Sequence, residues 1–181
     1  MSVPAEIERN LTELDKTTIP LEKTDFFNQV INELSGALQE IVGLNEAEGF
    51  ITLVASRIGE KINQDYKSAL NLDHIPRDLL PNVLVDLKRR IEGRFSIEYE
   101  DDKVIVLRNT RCPFGDRVMG RPALCMMTTN VFGRIAADST GYARVDIEKA
   151  IAKGDSECRV TVHLAPAPEH DEGSKEFFKV R

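Results

Sequence analysis

The side chains with the greatest capacity for chemistry in this chain are three cysteines, Cys112, Cys125 and Cys158. They are separated by 12 and 32 residues, and no two of them have the Cys-x-x-Cys spacing. Zinc ribbons and fingers use such pairs to hold two corners of a tetrahedron, so the spacing does not predict a site of that type. Free cysteine is also among the side chains most often buried. On spacing alone, Cys125 and Cys158 are interpreted as small core residues and Cys112 as a loop residue.

The overall composition limits the classes of function. The 181 residues include 24 Lys and Arg against 30 Asp and Glu, a net charge of −6, whereas nucleic-acid binding normally needs a basic surface. No apolar run approaches the roughly 18 residues of a membrane helix, and the first residues lack the apolar core of a signal peptide. We therefore expect a cytoplasmic protein with reduced thiols, and neither nucleic acid nor membrane as a partner.

Hydrophobic periodicity predicts three helices before the first strand. The first runs from Thr24 to near Gly43, with apolar residues at three- and four-residue steps. Asn45 with Glu48 forms a capping pair that favours a second helix, and Pro81 favours the first turn of a third. The apolar stripe of the first helix spans about five turns, so it packs either on the sheet or against a second copy of the chain. We therefore expect a homodimer.

The second half of the chain changes to strand periodicity. Alternation from Phe95 to Tyr99 and a return over Val104–Leu107 predict a hairpin. A fourth helix is predicted over Ala123–Ala137, followed by strands over Tyr142–Ile147 and Cys158–Leu164. These elements indicate an α+β fold, in which helices pack on a small antiparallel sheet.

Only the middle of the chain has the pattern of a folded domain. Residues 1–23 and 166–181 are polar and contain several prolines, so we expect a flexible tail at each end. The sequence predicts a single domain over residues 24–165. In its last strand Cys158 shares a face with alternate apolar residues, so its side chain should point toward the core.

Several segments around the cysteines carry a family resemblance. They are Arg111–Gly115, Ala123–Met127, Gly133–Ala136, Val145–Glu148 and Gly154–Val160, with Ala55–Glu60 upstream. Together they resemble the vinyl-reductase-like sensory domains, and most closely the related methanogen output domains at the ends of signalling chains. The resemblance implies the α+β fold of a superfamily that also includes nitric-oxide-signalling and Golgi-transport ligand-binding domains. It also implies a sensory or regulatory module that acts on a signalling output protein.

The resemblance further implies a set of metal ligands. Phenol-sensing members of the superfamily hold zinc with three cysteines and a glutamate, and Cys125, Glu148 and Cys158 match three of these positions. The remaining cysteine falls on or beside Ile151, which cannot bind a metal. Cys112 is the available substitute, so the implied ligands are Cys112, Cys125, Cys158 and Glu148.

The chemistry of such a site has several alternatives. Three thiolates and a carboxylate suit zinc, and three thiolates with one open position also suit an iron–sulfur cluster. A thiol switch is another alternative, because Arg111 and Arg117 near Cys112 would favour its thiolate. The last alternative is that the three residues are ordinary core thiols.

A small apolar ligand is a further expectation from the sensory relatives. Phe132, Ile135 and Tyr142, with flexible methionines nearby, are predicted to surround it.

We expect no enzymatic activity. The sequence has no nicotinamide or flavin fingerprint and no phosphate-binding loop, and it offers no convincing acid–base pair. Two other functions stay open at this point. One is an enzyme-associated protein of the tetrapyrrole vinyl-reductase type, and the other is a scaffold of the transport-complex type with structural cysteines.

Overall fold

The computed structural model of the chain describes residues 16–166 and 174–179. These residues form four α-helices, five strands and short 3-10 turns. The helices are α1 (Lys23–Val42), α2 (Leu44–Leu70), α3 (Leu80–Arg89) and α4 (Cys125–Thr140). The strands are β1 (Phe95–Glu100), β2 (Val104–Asn109), β3 (Tyr142–Lys149), β4 (Cys158–His163) and β5 (Lys175–Phe178).

The strands form one sheet in the order β1-β2-β4-β3-β5, and every neighbouring pair is antiparallel. The central strand β4 pairs with β2 on one side and with β3 on the other, so that Val162 lies opposite both Ile105 and Val145. The predicted α+β fold with a small antiparallel sheet is confirmed.

The main core lies between the sheet and helices α3 and α4. Helix α4 presents Phe132 and Ile135 to the sheet, and both side chains are fully buried. Pro81 lies in the first turn of α3, as predicted, and the buried face of that helix includes Leu84 and Leu87. Burying large apolar side chains against a pleated face is the main favourable term for such a layered domain.

The opposite face of the sheet is polar. His163 Nε2 lies 2.8 Å from Asp146 Oδ2, and Arg159 pairs with Glu98 at 3.2 Å. The alternation predicted for β4 is therefore found, since Val160 is buried in the core while its neighbour Arg159 binds groups on the polar face.

Helices α1 and α2 follow each other with only Gly43 between them. Gly43 has φ +83°, a backbone conformation that favours glycine, and it ends α1 and precedes α2. The predicted capping role of Asn45 and Glu48 is wrong, because α2 begins at Leu44 and no side chain caps it. No helix within the described ranges is both long and apolar enough to cross a membrane.

The C-terminal segment corrects the prediction of a flexible tail from residue 166. Strand β5 (Lys175–Phe178) pairs with β3, and Phe177 is buried against α4. A Cβ at Gly133 of α4 would overlap the Phe177 ring, so this close approach requires glycine. Of the predicted N-terminal tail, residues 16–22 form no helix or strand. Residues 1–15, 167–173 and 180–181 lie outside the described residues.

Candidate functional site

The three cysteines meet at one small cavity on the edge of the core. Cys112, Cys125 and Cys158 all line it, and its volume is about 30 Å³, enough for one or two water-sized groups. Its other walls are mainly apolar. They include Phe95, Phe114, Val118, Leu124, Ile147 and Val160.

Each cysteine reaches the cavity from a different segment. Cys112 lies in the loop after β2, Cys125 is the first residue of α4, and Cys158 is the first residue of β4. The Cys158 sulfur accepts hydrogen bonds from the Ile151 amide at 3.4 Å and from Asn109 Nδ2 at 3.7 Å. The sequence therefore predicted correctly which kind of element carries each cysteine.

Asn109 organises the floor of the cavity. It is fully buried at the end of β2. Its Oδ1 accepts hydrogen bonds from the backbone amides of Arg94 at 3.0 Å and Arg111 at 3.2 Å. With its Nδ2 on Cys158, this one side chain ties the loop of Cys112 to the strand of Cys158. Sequence analysis missed this residue, because a single Asn at a strand end usually indicates only a turn.

A buried lysine lies beside the cysteines. Lys88 of α3 is 3% exposed, and its Nζ donates a hydrogen bond to Thr128 Oγ1 at 2.8 Å. The ammonium lies 5.4 Å from the centre of the Phe95 ring and 5.2 Å from that of Phe132. No carboxylate in the described part of the chain forms an ion pair with it. Burial lowers the pKa of Lys88 to about 8, and the three cysteines partly oppose this shift.

Sequence analysis did not single out Lys88. A signal was present, because Lys88 follows Leu84 by one helical turn and adjoins Leu87, which places it on the buried stripe of α3. Lysine is almost never fully buried without a partner, so this position is unusual.

Burial favours the protonated thiol at two of the cysteines, Cys125 and Cys112. Burial raises the pKa of Cys125 to about 12, and the neighbouring Cys158 and Cys112 add to the shift. Burial also raises the pKa of Cys112, despite opposing effects of a Phe114 backbone hydrogen bond and of Lys88. The prediction that arginines favour the Cys112 thiolate is therefore wrong, and Arg111 pairs instead with Glu92.

The fourth implied ligand, Glu148, lines a neighbouring cavity that it shares with Cys125 but not with Cys112 or Cys158. The Glu148 carboxylate binds Arg159 and Thr161, whose side chains project from the face of β4 opposite to Cys158. Glu148 does not line the cavity of the three cysteines. Across residues 16–166 and 174–179, no three His, Cys, Asp or Glu side chains are grouped as a metal centre.

The predicted apolar ligand pocket is not found around its three residues. Phe132 and Ile135 have no exposed surface and belong to the main core. The Tyr142 hydroxyl donates to Glu176 Oε1 at 2.6 Å, and its ring packs edge-on against Phe178. Their periodicity reflects core and edge packing, which is the more common reason for an apolar stripe.

Helix α1 binds the segment that joins two of the cysteines. Residues 113–124 connect Cys112 to Cys125, and α1 contacts this connection with polar groups. Arg121 also lies over Gly36, where a Cβ would overlap its guanidinium. The hydrogen bonds run from Asn32 Nδ2 to Phe114 O (3.0 Å), from Arg121 Nε to Asn32 O (3.1 Å), from Gln39 Nε2 to Gly120 O (3.2 Å) and from Ala123 N to Gln39 Oε1 (3.3 Å).

The fold and this cavity define an α+β domain with a half-buried cluster of three thiols next to a leading helix. The chain belongs to the methanogen output domain 1 family, whose model matches residues 30–163. The match includes all three cysteines, and it confirms the resemblance noted from the sequence. A comparison with curated protein sequences found no match.

Proposed function

We propose that this chain is a non-catalytic regulatory module and that the cysteine-lined cavity receives its signal. The chain belongs to a family of output domains, which supports a regulatory role. The observation that carries the choice of site is the meeting of three thiols from separate segments beside one buried ammonium. Buried polar groups of this kind reduce stability unless something compensates them, so their clustering favours a functional explanation.

The donor set favours a thiophilic metal as the signal-dependent group. Thiolates are the ligands that zinc and iron–sulfur clusters prefer, and the cavity offers three of them. Three thiolates on a divalent ion carry one net negative charge, which the Lys88 ammonium would balance. We infer that Cys112, Cys125 and Cys158 would hold the metal and that Lys88 would act as a buried counter-charge. Zinc would tie the three segments together, whereas a cluster would make the site sensitive to oxidation.

Glu148 is not part of this proposal, because Arg159 and Thr161 engage its carboxylate. The thiol-switch alternative is less favoured, because burial keeps Cys112 and Cys125 protonated and the thiolate is the reactive form.

The route from the cavity to a partner protein runs through α1. The sulfurs are not grouped as a metal centre in the described structure, so binding would draw them together. Cys112 and Cys125 bracket the segment that α1 binds through Asn32 and Gln39. A shift of this segment would therefore change how α1 is held, and an output protein would detect the change at that helix.

The test is metal analysis of protein purified without oxygen, combined with its ultraviolet–visible spectrum. We expect about one zinc per chain in a colourless protein, or iron and sulfide in a coloured one. Cys125→Ser and Cys158→Ser should lose the metal, and Lys88→Met should weaken binding by about 10- to 100-fold, as is common for groups that support metal ligands.

Lys61→Met is the matched control for Lys88→Met. Lys61 of α2 is an exposed lysine that pairs with Asp65, so its removal should leave metal content unchanged. Wild-type protein that stays free of metal when zinc or iron is supplied would contradict the proposal. Unchanged metal content in all three Cys→Ser variants would contradict it equally.

A further inference from the structure

The two leading helices bury their polar side. The residues of α1 that are buried against the rest of the chain are Asn32, Ser35 and Gly36. Those of α2 are likewise small or polar, namely Ala47, Ala55, Gly59 and Asn63. A surface helix normally turns its apolar stripe toward the core, so this arrangement leaves the apolar stripes of α1 and α2 facing solvent.

The exposed apolar surface is large. Twelve bulky apolar side chains on the two helices are exposed, and the ten that do not lie at the ends of α2 are 36–81% exposed. At roughly 150–250 Å² for a large side chain, they present on the order of 1,000 Å² of apolar surface. The largest patch on a typical monomer is about 300–600 Å², and a stable dimer buries about 800 Å² per partner. The ten are Phe26, Phe27, Ile31, Leu34, Ile41, Val42, Phe50, Leu53, Val54 and Ile58.

The spacing on α1 is that of a helix-pairing seam. Phe27, Leu34 and Ile41 recur every seven residues, and Val30 and Ala37 lie three residues after the first two. This is the a/d pattern of a coiled coil, in which two helices interlock along one stripe. Leu34 is 66% exposed and Ile41 81% exposed, so nothing in the described chain covers the seam.

We infer that this seam is the interface of a homodimer, in which α1 packs against α1 of a second copy. A seam of identical apolar residues is complementary to itself, as an interface with two-fold symmetry requires. The exposed apolar residues of α2 adjoin this seam, and the two helices together expose the area that a stable dimer needs.

The charges beside the seam specify the direction of pairing. With Phe27, Leu34 and Ile41 at position a of the seven-residue repeat, Glu33 and Glu40 both occupy position g, next to the seam. In an antiparallel pair, g positions face g positions, which would bring these carboxylates together. In a parallel pair each g position faces an e position of the partner, and Glu33 then meets the apolar Leu38. The two α1 helices therefore run parallel.

Light scattering and sedimentation velocity of the full chain test this inference. Both measure mass in solution, so their result is separate from the test of the metal site. We expect the wild-type protein to have the mass of two chains at micromolar concentration. Leu34→Glu should raise the dimer dissociation constant at least 100-fold. Ile91→Glu places the same charge on another half-exposed apolar residue outside α1 and α2, so it should leave the dimer intact. Far-ultraviolet circular dichroism shows whether each variant is folded.

Cross-linking tests the direction of the helices. Ile41→Cys should form a disulfide with its own counterpart in a parallel pair, because residues at the same position then meet. In an antiparallel pair a positions pack against d positions, so an Ile41→Cys chain would cross-link only to a Val30→Cys chain. A wild-type monomer at 100 µM, or a dimer unaffected by Leu34→Glu, would overturn the interface. Cross-linking only in the mixed sample would overturn the parallel arrangement.

Discussion

Helices α1 and α4 both repeat apolar residues at helical spacing, but they bury opposite kinds of surface. α4 places Phe132 and Ile135 in the core, and the sheet covers them completely. α1 instead binds the domain through Asn32 and Gln39 and leaves Leu34 in solvent. The comparison teaches that an apolar period predicts a helix, whereas only tertiary structure decides which side of that helix is covered.

The largest expected difference is in the free energy of unfolding after one apolar side chain is shortened in α4 and, separately, one in α1. Phe132→Ala should lower the free energy of unfolding by about 3–5 kcal/mol, because it leaves a cavity in a fully packed core. Leu34→Ala should change the unfolding free energy of the monomer by no more than about 0.5 kcal/mol, because this side chain is mostly in solvent. Urea unfolding of both variants, at a concentration where the chain is monomeric, gives the two values. Equal losses would mean that α1 buries its apolar stripe within the chain.

Two glycines provide a smaller test of how α1 is attached. Gly36→Ala places a methyl group against the Arg121 guanidinium, so we expect a loss of about 1–3 kcal/mol and faster amide exchange along α1. Gly49 of α2 has open space around it, so Gly49→Ala should stabilise the protein by about 0.5–1 kcal/mol through its effect on helix propensity and the unfolded chain. Hydrogen exchange with mass spectrometry resolves the two helices. An unchanged rate of amide exchange along α1 in the Gly36→Ala variant would show that the Arg121 contact does not hold this helix.

The sequence predicted the parts of this fold that local patterns determine. Helix periods, the hairpin, the alternation along β4 and the element type of each cysteine all follow from neighbours in sequence. The place of Glu148 on the polar face of the sheet also follows from local sequence, because Glu148 alternates with the core residue Ile147.

The parts that the sequence could not predict depend on distant contacts. Burial of Lys88 requires the rings of Phe95 and Phe132, which come from β1 and α4. The short strand β5 is defined by the place of Phe177 against Gly133, and its own four residues are too few to show a strand period. Functional and interaction surfaces are where local rules are most often broken, and the polar inner side of α1 is one such place.

A third test extends the comparison along α2, whose second half joins the domain through a charged hydrogen bond. The Tyr66 hydroxyl donates to Asp86 Oδ2 of α3 at 2.6 Å, and Arg89 and Arg90 bind the same carboxylate. The Tyr66 hydrogen bond, with the two arginines, holds the pKa of Asp86 well below its usual range. Burial, together with Asp86, raises the pKa of Tyr66 to about 12. Tyr66→Phe should therefore cost about 1–2 kcal/mol near neutral pH, where this bond is fully formed.

The pH dependence follows from the sign of each shift. Asp86 has a lowered pKa when folded, so its contribution is complete above the ordinary Asp value of about 4 and is lost as the pH falls below it. Tyr66 has a raised pKa when folded, so its contribution is complete below about pH 10 and is lost as the pH rises toward 12. The stability difference between wild type and Tyr66→Phe should thus be largest between about pH 5 and 9 and should narrow on both sides. Urea unfolding across this range measures it, and a difference that stays constant from pH 3 to 11 would show that α2 is held there by packing of the ring alone.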